Sequence, residues 1–215
     1  TAMGVSIGLT AGAIMTRGTI RQKEKWALPL LRLDTIGAWA ITEPGSGSDA
    51  FGSMKASARR DGDDYVLNGQ KTFITNGPYA DTIVFICKLD DGRPEADRKI
   101  VSFILDRGMP GLEQSKPLRK MGMHASPTGE LFLSDVRVGR DRLIGEVEDV
   151  PARESAKETF TAERTGVAAM ALGIVEQCLT LCLDYARTRV QFGKPIGEFQ
   201  LIQLKLAKME VARMN

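Results

Sequence analysis

The spacing of apolar positions changes twice along the chain and divides it into three zones. In residues 1–36, "TAMGVSIGLTAGAIM" is apolar and rich in small residues. "TIRQKEKWALPLLRL" then follows Gly18, with Thr19 placed as an N-cap, so helix is predicted over about 1–33. Residues 37–150 switch to strand period. Met54, Ala56 and Ala58 alternate with Lys55, Ser57 and Arg59. Asp61-Gly62 and Asn68-Gly69 supply two turn signals around "DYVLNGQKTFITNG". "DTIVFICKL", "KIVSFILD" and "GELFLSDVRV" are further runs of strand length separated by Gly, Pro and Asp. Such spacing predicts a mainly antiparallel barrel or two-sheet sandwich of roughly seven or eight strands. From about 151 the helical period returns. Phe160, Val167, Met170, Ile174, Cys178, Leu181 and Tyr185 form the stripe of one long amphipathic helix, at about 152–188. "TRVQFGKPIGE" interrupts it with Gly193, Pro195 and Gly197. A second, antiparallel helix then runs from about 199 to 215, with Ile202, Leu206 and Met209 on one side.

Helices and strands kept apart in sequence argue for an α+β fold, with a β-domain between helical parts. The zones predict three domains: 1–36 the end of a helical domain, 37–150 a middle β-domain, and 151–215 the start of a helical bundle. Both ends lie in helix-patterned sequence, so the chain is expected to be the interior of a longer protein.

Composition narrows the function classes. The chain has 215 residues, 43% hydrophobic and 26% charged, the profile of a soluble globular protein. A formal net charge of +2 gives no strong pull toward nucleic acid or an anionic membrane. No uninterrupted apolar run approaches the roughly 20 residues of a membrane span. The 3 cysteines, Cys87, Cys178 and Cys182, form no CxxC pair, so no metal site is expected and a reducing compartment suits them. Cys178 and Cys182 share a helix face and are read as small core residues. Met109, Met121 and Met123 are read as gap fillers. The one histidine, His124, lies in a loop and receives no role.

The chemistry concentrates in "AWAITEPGSGSDA", Ala38–Ala50. An apolar run ends there in Pro, Gly, Ser and Asp. This is either an ordinary surface turn or a loop whose backbone approaches a ligand closely. It lacks the GxxxxGK[ST] of a P-loop and a GxGxxG followed by helix. A second polar stop, "FITNG" at Phe73–Gly77, ends another strand, and "RTRVQFGKPIGEFQ" ends the long helix.

Together these segments resemble the acyl-CoA dehydrogenase family of flavoenzymes. "TEPGSGSD", "GQKTFITNG" and "MGMHASPTGELFLSDVRV" are similar to its β-domain segments, and "ARTRVQFGKPIGEFQ" to the turn between the first two helices of its C-terminal bundle. The resemblance implies bound FAD. Trp39, Ile41, Thr42, Gly47 and Ser48 would line the flavin, with Ser48 also near the CoA thioester. Phe73, Ile74 and Thr75 would cover the flavin's other side, Phe73 standing where relatives often carry Trp. Arg189, Gln191 and Phe192 would reach into a neighbouring subunit, with Arg189 on the FAD diphosphate, so a dimer or tetramer is implied. Apart from the resemblance, Phe73 and Ile74 read as strand core, and Arg189 as a helix C-terminal cation.

The reaction so implied removes an α-proton from an acyl-CoA thioester and passes the β-hydride to flavin N5. Electrons then leave to an electron-transfer flavoprotein, in the cytoplasm or the mitochondrial matrix. In most members the basic Glu lies late in the C-terminal helices. In a minority it precedes an Arg on the first of them. Here that pair is Glu163-Arg164, with Thr161 and Arg164 as substrate-pocket wall. The alternatives are a solvated Glu-Arg pair with the base further on, an oxidase or monooxygenase on the same scaffold, or a non-catalytic subunit of a mixed oligomer.

Overall fold

The computed structural model describes residues 2–148 and 152–215, without the side chains of 152–159 and 162. The zone boundary placed at 150–151 lies outside the described residues. The chain forms two compact units, Thr1–Thr159 and Phe160–Asn215.

The first unit opens with helical runs at 2–17 and 20–31. Each contains wide turns, over Val5–Ala11 and Lys23–Ala27. The second run starts as expected. The Thr19 hydroxyl accepts from the Gln22 amide, and the Gln22 side chain accepts from the Thr19 amide, a reciprocal cap. Gln22 also holds the helices to the segment that follows β7. Its Nε2 donates to the carbonyls of Asp141 and Leu143, and its Oε1 accepts from the Gly145 amide.

Seven strands follow: β1 Gly37–Ala40, β2 Ser57–Asp61, β3 Asp64–Thr75, β4 Thr82–Asp90, β5 Ile100–Asp106, β6 Leu112–Gln114 and β7 Thr128–Gly139. They form one sheet in the order β1-β4-β2-β3-β7-β6, with β5 also on β4. Most pairs are antiparallel, but β1 and β2 both run parallel to β4. β1 pairs with residues 82–85 and β2 with 88–90, so two strands lie end to end along one edge of β4. β5 takes the other edge over its full length. β4 is therefore covered on both edges, and all but its last residue is buried, Thr82 and Lys88 included. The expected alternation holds over residues 54–59, leading into β2: Met54, Ala56 and Ala58 are buried while Lys55 and Arg59 are exposed and Ser57 is half-buried.

Asp61-Gly62 makes the β2–β3 turn, with Gly62 at φ 64°. Asn68-Gly69 does not turn the chain. It lies inside β3 at a shift of register against β7. A Cβ on Gly69 would stand 2.6 Å from the Cβ of Ala56, so glycine is needed there for close approach of two strands.

The second unit is a helical hairpin. The long helix runs Ala152–Thr188, and the next helix Gln200–Met214. Between them β8, Val190–Gln191, pairs with β9, Lys194–Pro195. Arg213 pairs with Glu176 at 3.6 Å, which brings the second helix back beside the first. The covered face of the long helix is Val175, Leu179, Leu183 and Ala186. Of the stripe read from the sequence, Phe160 is half-buried while Val167, Met170, Ile174, Cys178, Leu181 and Tyr185 are exposed. The helix is apolar around most of its circumference, so periodicity alone did not say which face the hairpin covers. By length and composition the stretch Glu163–Thr188 also reaches the apolarity of a membrane span, a property shared by core helices of soluble bundles. Met121 and Met123 are exposed too, on a loop, and fill no gap.

Candidate active site

Two segments of the first unit meet at the end of β1. The first is the Gly/Ser loop after Ala40. Trp39 and Ile41 are buried, Thr42 is half-buried, and Gly47 and Ser48 are exposed. Glu43 and Ser46 exchange backbone hydrogen bonds across Pro44-Gly45, which closes a tight turn. A Cβ added at Gly45 or Gly47 would meet nothing within 4 Å, and neither has a positive φ. Nothing among the described residues requires glycine at these two positions. The space above them is open, which suits a bound molecule.

The second segment is the end of β3. Pairing with β7 passes from Lys71↔Leu131 to Ile74↔Gly129, so β3 carries one extra residue there. Phe73 takes φ 56°, a left-handed conformation an aromatic residue rarely adopts, and the residue is 67% exposed. Ile74 is buried, and Thr75 is half-buried opposite Thr128. The expectation of strand core thus holds for Ile74 and fails for Phe73. The bulge turns the ring outward. The Thr72 amide, released from the ladder, donates to the Thr42 carbonyl at 2.9 Å and joins the two segments.

Three further residues hold this corner, and sequence reasoning missed them. Lys71 is fully buried. Its Nζ donates to Glu43 Oε1 at 2.8 Å and to the Ile41 carbonyl at 3.0 Å. Glu43 also accepts from the amides of Lys55 and Ala56. Burial pushes the Lys71 pKa down while Glu43 pulls it up, and burial drives the neighbouring Cys87 thiol up to about 12. Asn76, at φ 65°, donates from Nδ2 to the carbonyls of Ala2 and Gly37, tying the first helix to this corner. The only sequence signal was a lysine on the core-facing side of a strand and an acid inside a turn. Buried Trp39 Nε1 has no hydrogen-bond partner among the described residues.

The remaining candidates lie in the second unit. Glu163 is half-buried and Thr161 and Arg164 are exposed, all on the long helix. Arg189, Gln191 and Phe192 are exposed in the β8–β9 hairpin. Phe192 and Gly193 both have positive φ, 53° and 79°, as a type I′ turn requires. Phe192 is 94% exposed. The Arg189 guanidinium has no hydrogen bond or ion pair among the described residues. His124 is exposed in its loop, its Nε2 3.0 Å from the Lys120 carbonyl. No group of three metal-binding side chains occurs among the described residues.

Comparison with known proteins covers both units. Residues 38–136 match the acyl-CoA dehydrogenase middle domain and residues 153–214 its C-terminal domain, together well over half of the chain. A 3-(aryl)acrylate reductase of Clostridium sporogenes is 42% identical over 90% of this chain and 50% of its own length. The short-chain specific acyl-CoA dehydrogenase of Megasphaera elsdenii is 40% identical over 97% of this chain and 54% of its own length. A glutaryl-CoA dehydrogenase from Mycobacterium smegmatis, solved in complex with FADH2, superposes with a TM-score of 0.81 at 34% identity, over 97% of this chain and 51% of its own. The chain thus spans about half the length of its relatives, and it belongs to the acyl-CoA dehydrogenase family.

Proposed function

We propose that the protein is an FAD-dependent acyl-CoA dehydrogenase that introduces an α,β double bond into an acyl-CoA thioester. The observation that carries this reading is the corner where the open Gly45–Ser48 loop meets the bulge that turns Phe73 outward, joined by the Thr72-to-Thr42 bond. The residues present fit a flavin: space over two unconstrained glycines, an exposed aromatic ring and a half-buried Thr42 hydroxyl. A bound flavin would supply the acceptor for the hydride that leaves the β-carbon.

The chain's own residues do the rest. Trp39, Ile41 and Thr42 line the ring system, and Thr42 offers it a hydroxyl. Gly47 admits the cofactor and the thioester arm without a Cβ in the way, and Ser48 sets only a small side chain beside them. Phe73, Ile74 and Thr75 close the other side and exclude water. Glu163 takes the α-proton onto its carboxylate, and Thr161 and Arg164 form pocket wall. Arg189 donates its planar fork to the FAD diphosphate of a neighbouring subunit, beside Gln191 and Phe192. The working protein is accordingly a dimer or tetramer, in a bacterial cytoplasm or a mitochondrial matrix, with an electron-transfer flavoprotein as acceptor. The three-zone division at 37 and 151 belongs to the same reading.

The absorbance spectrum of the full-length protein as purified tests it. Flavin bands that bleach on adding butyryl-CoA or a longer acyl-CoA are expected. A protein that takes up no flavin refutes the reading. Bound flavin that no acyl-CoA bleaches favours the non-catalytic subunit. Because a reductase stands among the relatives, the reverse assay with an enoyl-CoA and pre-reduced flavin decides the direction.

A further inference from the structure

We infer that the buried Lys71–Glu43 pair is a positioning device: it fixes the Gly/Ser loop and the Phe73 bulge at one separation, and so shapes the flavin site without touching its ligand. The inference rests on the flavoprotein reading above. Lys71 is fully buried, so its ammonium cannot reach a bound molecule. It stands at the last paired position before the β3 bulge, where the β7 ladder is interrupted until Ile74. Across that interruption the chain is held from the other side. Lys71 Nζ bonds the Ile41 carbonyl and Glu43, and the Thr72 amide bonds the Thr42 carbonyl. Glu43 then reaches across the loop to the amides of Lys55 and Ala56, at 2.7 and 3.0 Å, and clamps the loop's two ends together. One charge pair thus ties three stretches of backbone: 41–43, 55–56 and 71–72.

Stability does not account for this arrangement. A buried ion pair is often no better for stability than well-packed apolar residues of the same volume, and its best-attested use is to fix register. A methionine at position 71 would fill much the same space. It would not tell the bulge where to sit against the loop.

The experiment compares the full-length native protein with Lys71→Met/Glu43→Gln, which removes both charges and keeps the volume. Three quantities are measured: the urea midpoint of the apoprotein, the FAD dissociation constant, and the visible circular dichroism of bound flavin. The expected result is at least a tenfold weaker FAD affinity and an altered flavin dichroism, larger than the fall in urea midpoint that follows because a glutamine there accepts from only one of the Lys55 and Ala56 amides. Native affinity and dichroism in the double variant overturn the inference, as does an affinity loss that only tracks lost stability. Should the variant fail to fold, hydrogen exchange on the native apoprotein decides. The amides of Lys55, Ala56 and Thr72 are expected to be protected before FAD is added, and exchange at open-loop rates overturns the inference. The two failures are separable. A native protein that binds no flavin removes the flavin reading, whereas the exchange of those three amides reports on the clamp alone.

Discussion

Phe73 carries a prediction whose sign is opposite to the usual rule for strands. Its φ of 56° places an L-residue in the left-handed region, at a strain of roughly 1–2 kcal/mol. The residue is 67% exposed. About a third of a phenylalanine's area, roughly 65 Å², is then buried, which contributes about 1.6 kcal/mol at ~25 cal/mol/Å². Phe73→Ala loses that contribution and keeps the strain. Phe73→Gly loses it as well but releases the strain, against roughly 0.5–1 kcal/mol of extra chain entropy in the unfolded state. Glycine should therefore be more stable than alanine at position 73 by about 0.5–1 kcal/mol. In an ordinary strand the order is reversed by a similar amount. Equilibrium urea unfolding of the two apoproteins reads the difference as a shift in midpoint at unchanged slope. An alanine variant as stable as the glycine variant, or more so, would refute the left-handed bulge. Both variants should hold FAD less tightly than the native protein, because both lose the ring.

Three further outcomes are expected. Arg189→Ala should weaken FAD retention roughly 10- to 150-fold, the equivalent of about 1.5–3 kcal/mol for a charge-assisted contact, and leave the urea midpoint unchanged; equal retention would remove the assignment. Glu163→Gln should still bind acyl-CoA but slow flavin bleaching in stopped flow by at least ~10²-fold, and bleaching at the native rate would place the base elsewhere. The Arg60 guanidinium, and after it the Tyr65 hydroxyl, donate to the Glu148 carboxylate and hold its pKa down at about 2. With a folded pKa below the ordinary carboxylate value, Glu148 contributes stability above about pH 4.5 that is lost as pH falls toward 2. Because the pair is largely solvent-screened, the contribution is at most ~1 kcal/mol. Arg60→Ala should flatten the acid limb of a thermal-stability profile by no more than that.

Much of this was legible in the sequence because local chemistry and fold agreed. Gly18-Thr19 marked a helix start that the Thr19–Gln22 cap makes. Met54, Ala56 and Ala58 alternate into the core as read. What failed depended on partners far away in sequence. Asn68-Gly69 looks like a hairpin turn, but it lies inside β3 at a shift of register against β7, with Ala56 packed on the glycine. The stripe 167–185 is apolar, yet so is the less exposed face at 175–186. Two strands running parallel to β4 carry no local mark at all, because parallel pairing is set by the path of the chain between strands. Glu43 and Lys71 were passed over for a related reason. A charge is read as exposed unless its partner is known, and these two partners are 28 residues apart.

Phe73 and Phe192 are two different solutions to one physical problem. Each holds an aromatic ring out of the core on a left-handed residue, so each sets backbone strain and exposed apolar area against stability. Such conformations persist only where the surroundings over-determine them. At Phe73 the determinants are the Thr72-to-Thr42 bond before it and buried Ile74 after it. At Phe192 they are the Val190–Pro195 pairing, the Ile196 amide on the Arg189 carbonyl, and Phe199, whose ring meets it edge-on at 6.2 Å. A chain selected for stability alone would place Asn or Gly at both positions, since those residues take positive φ at little strain. Aromatic residues there are best explained by something outside the chain that the rings meet. The flavin reading supplies that partner twice: the ring system for Phe73, and the cofactor of a neighbouring subunit for Phe192.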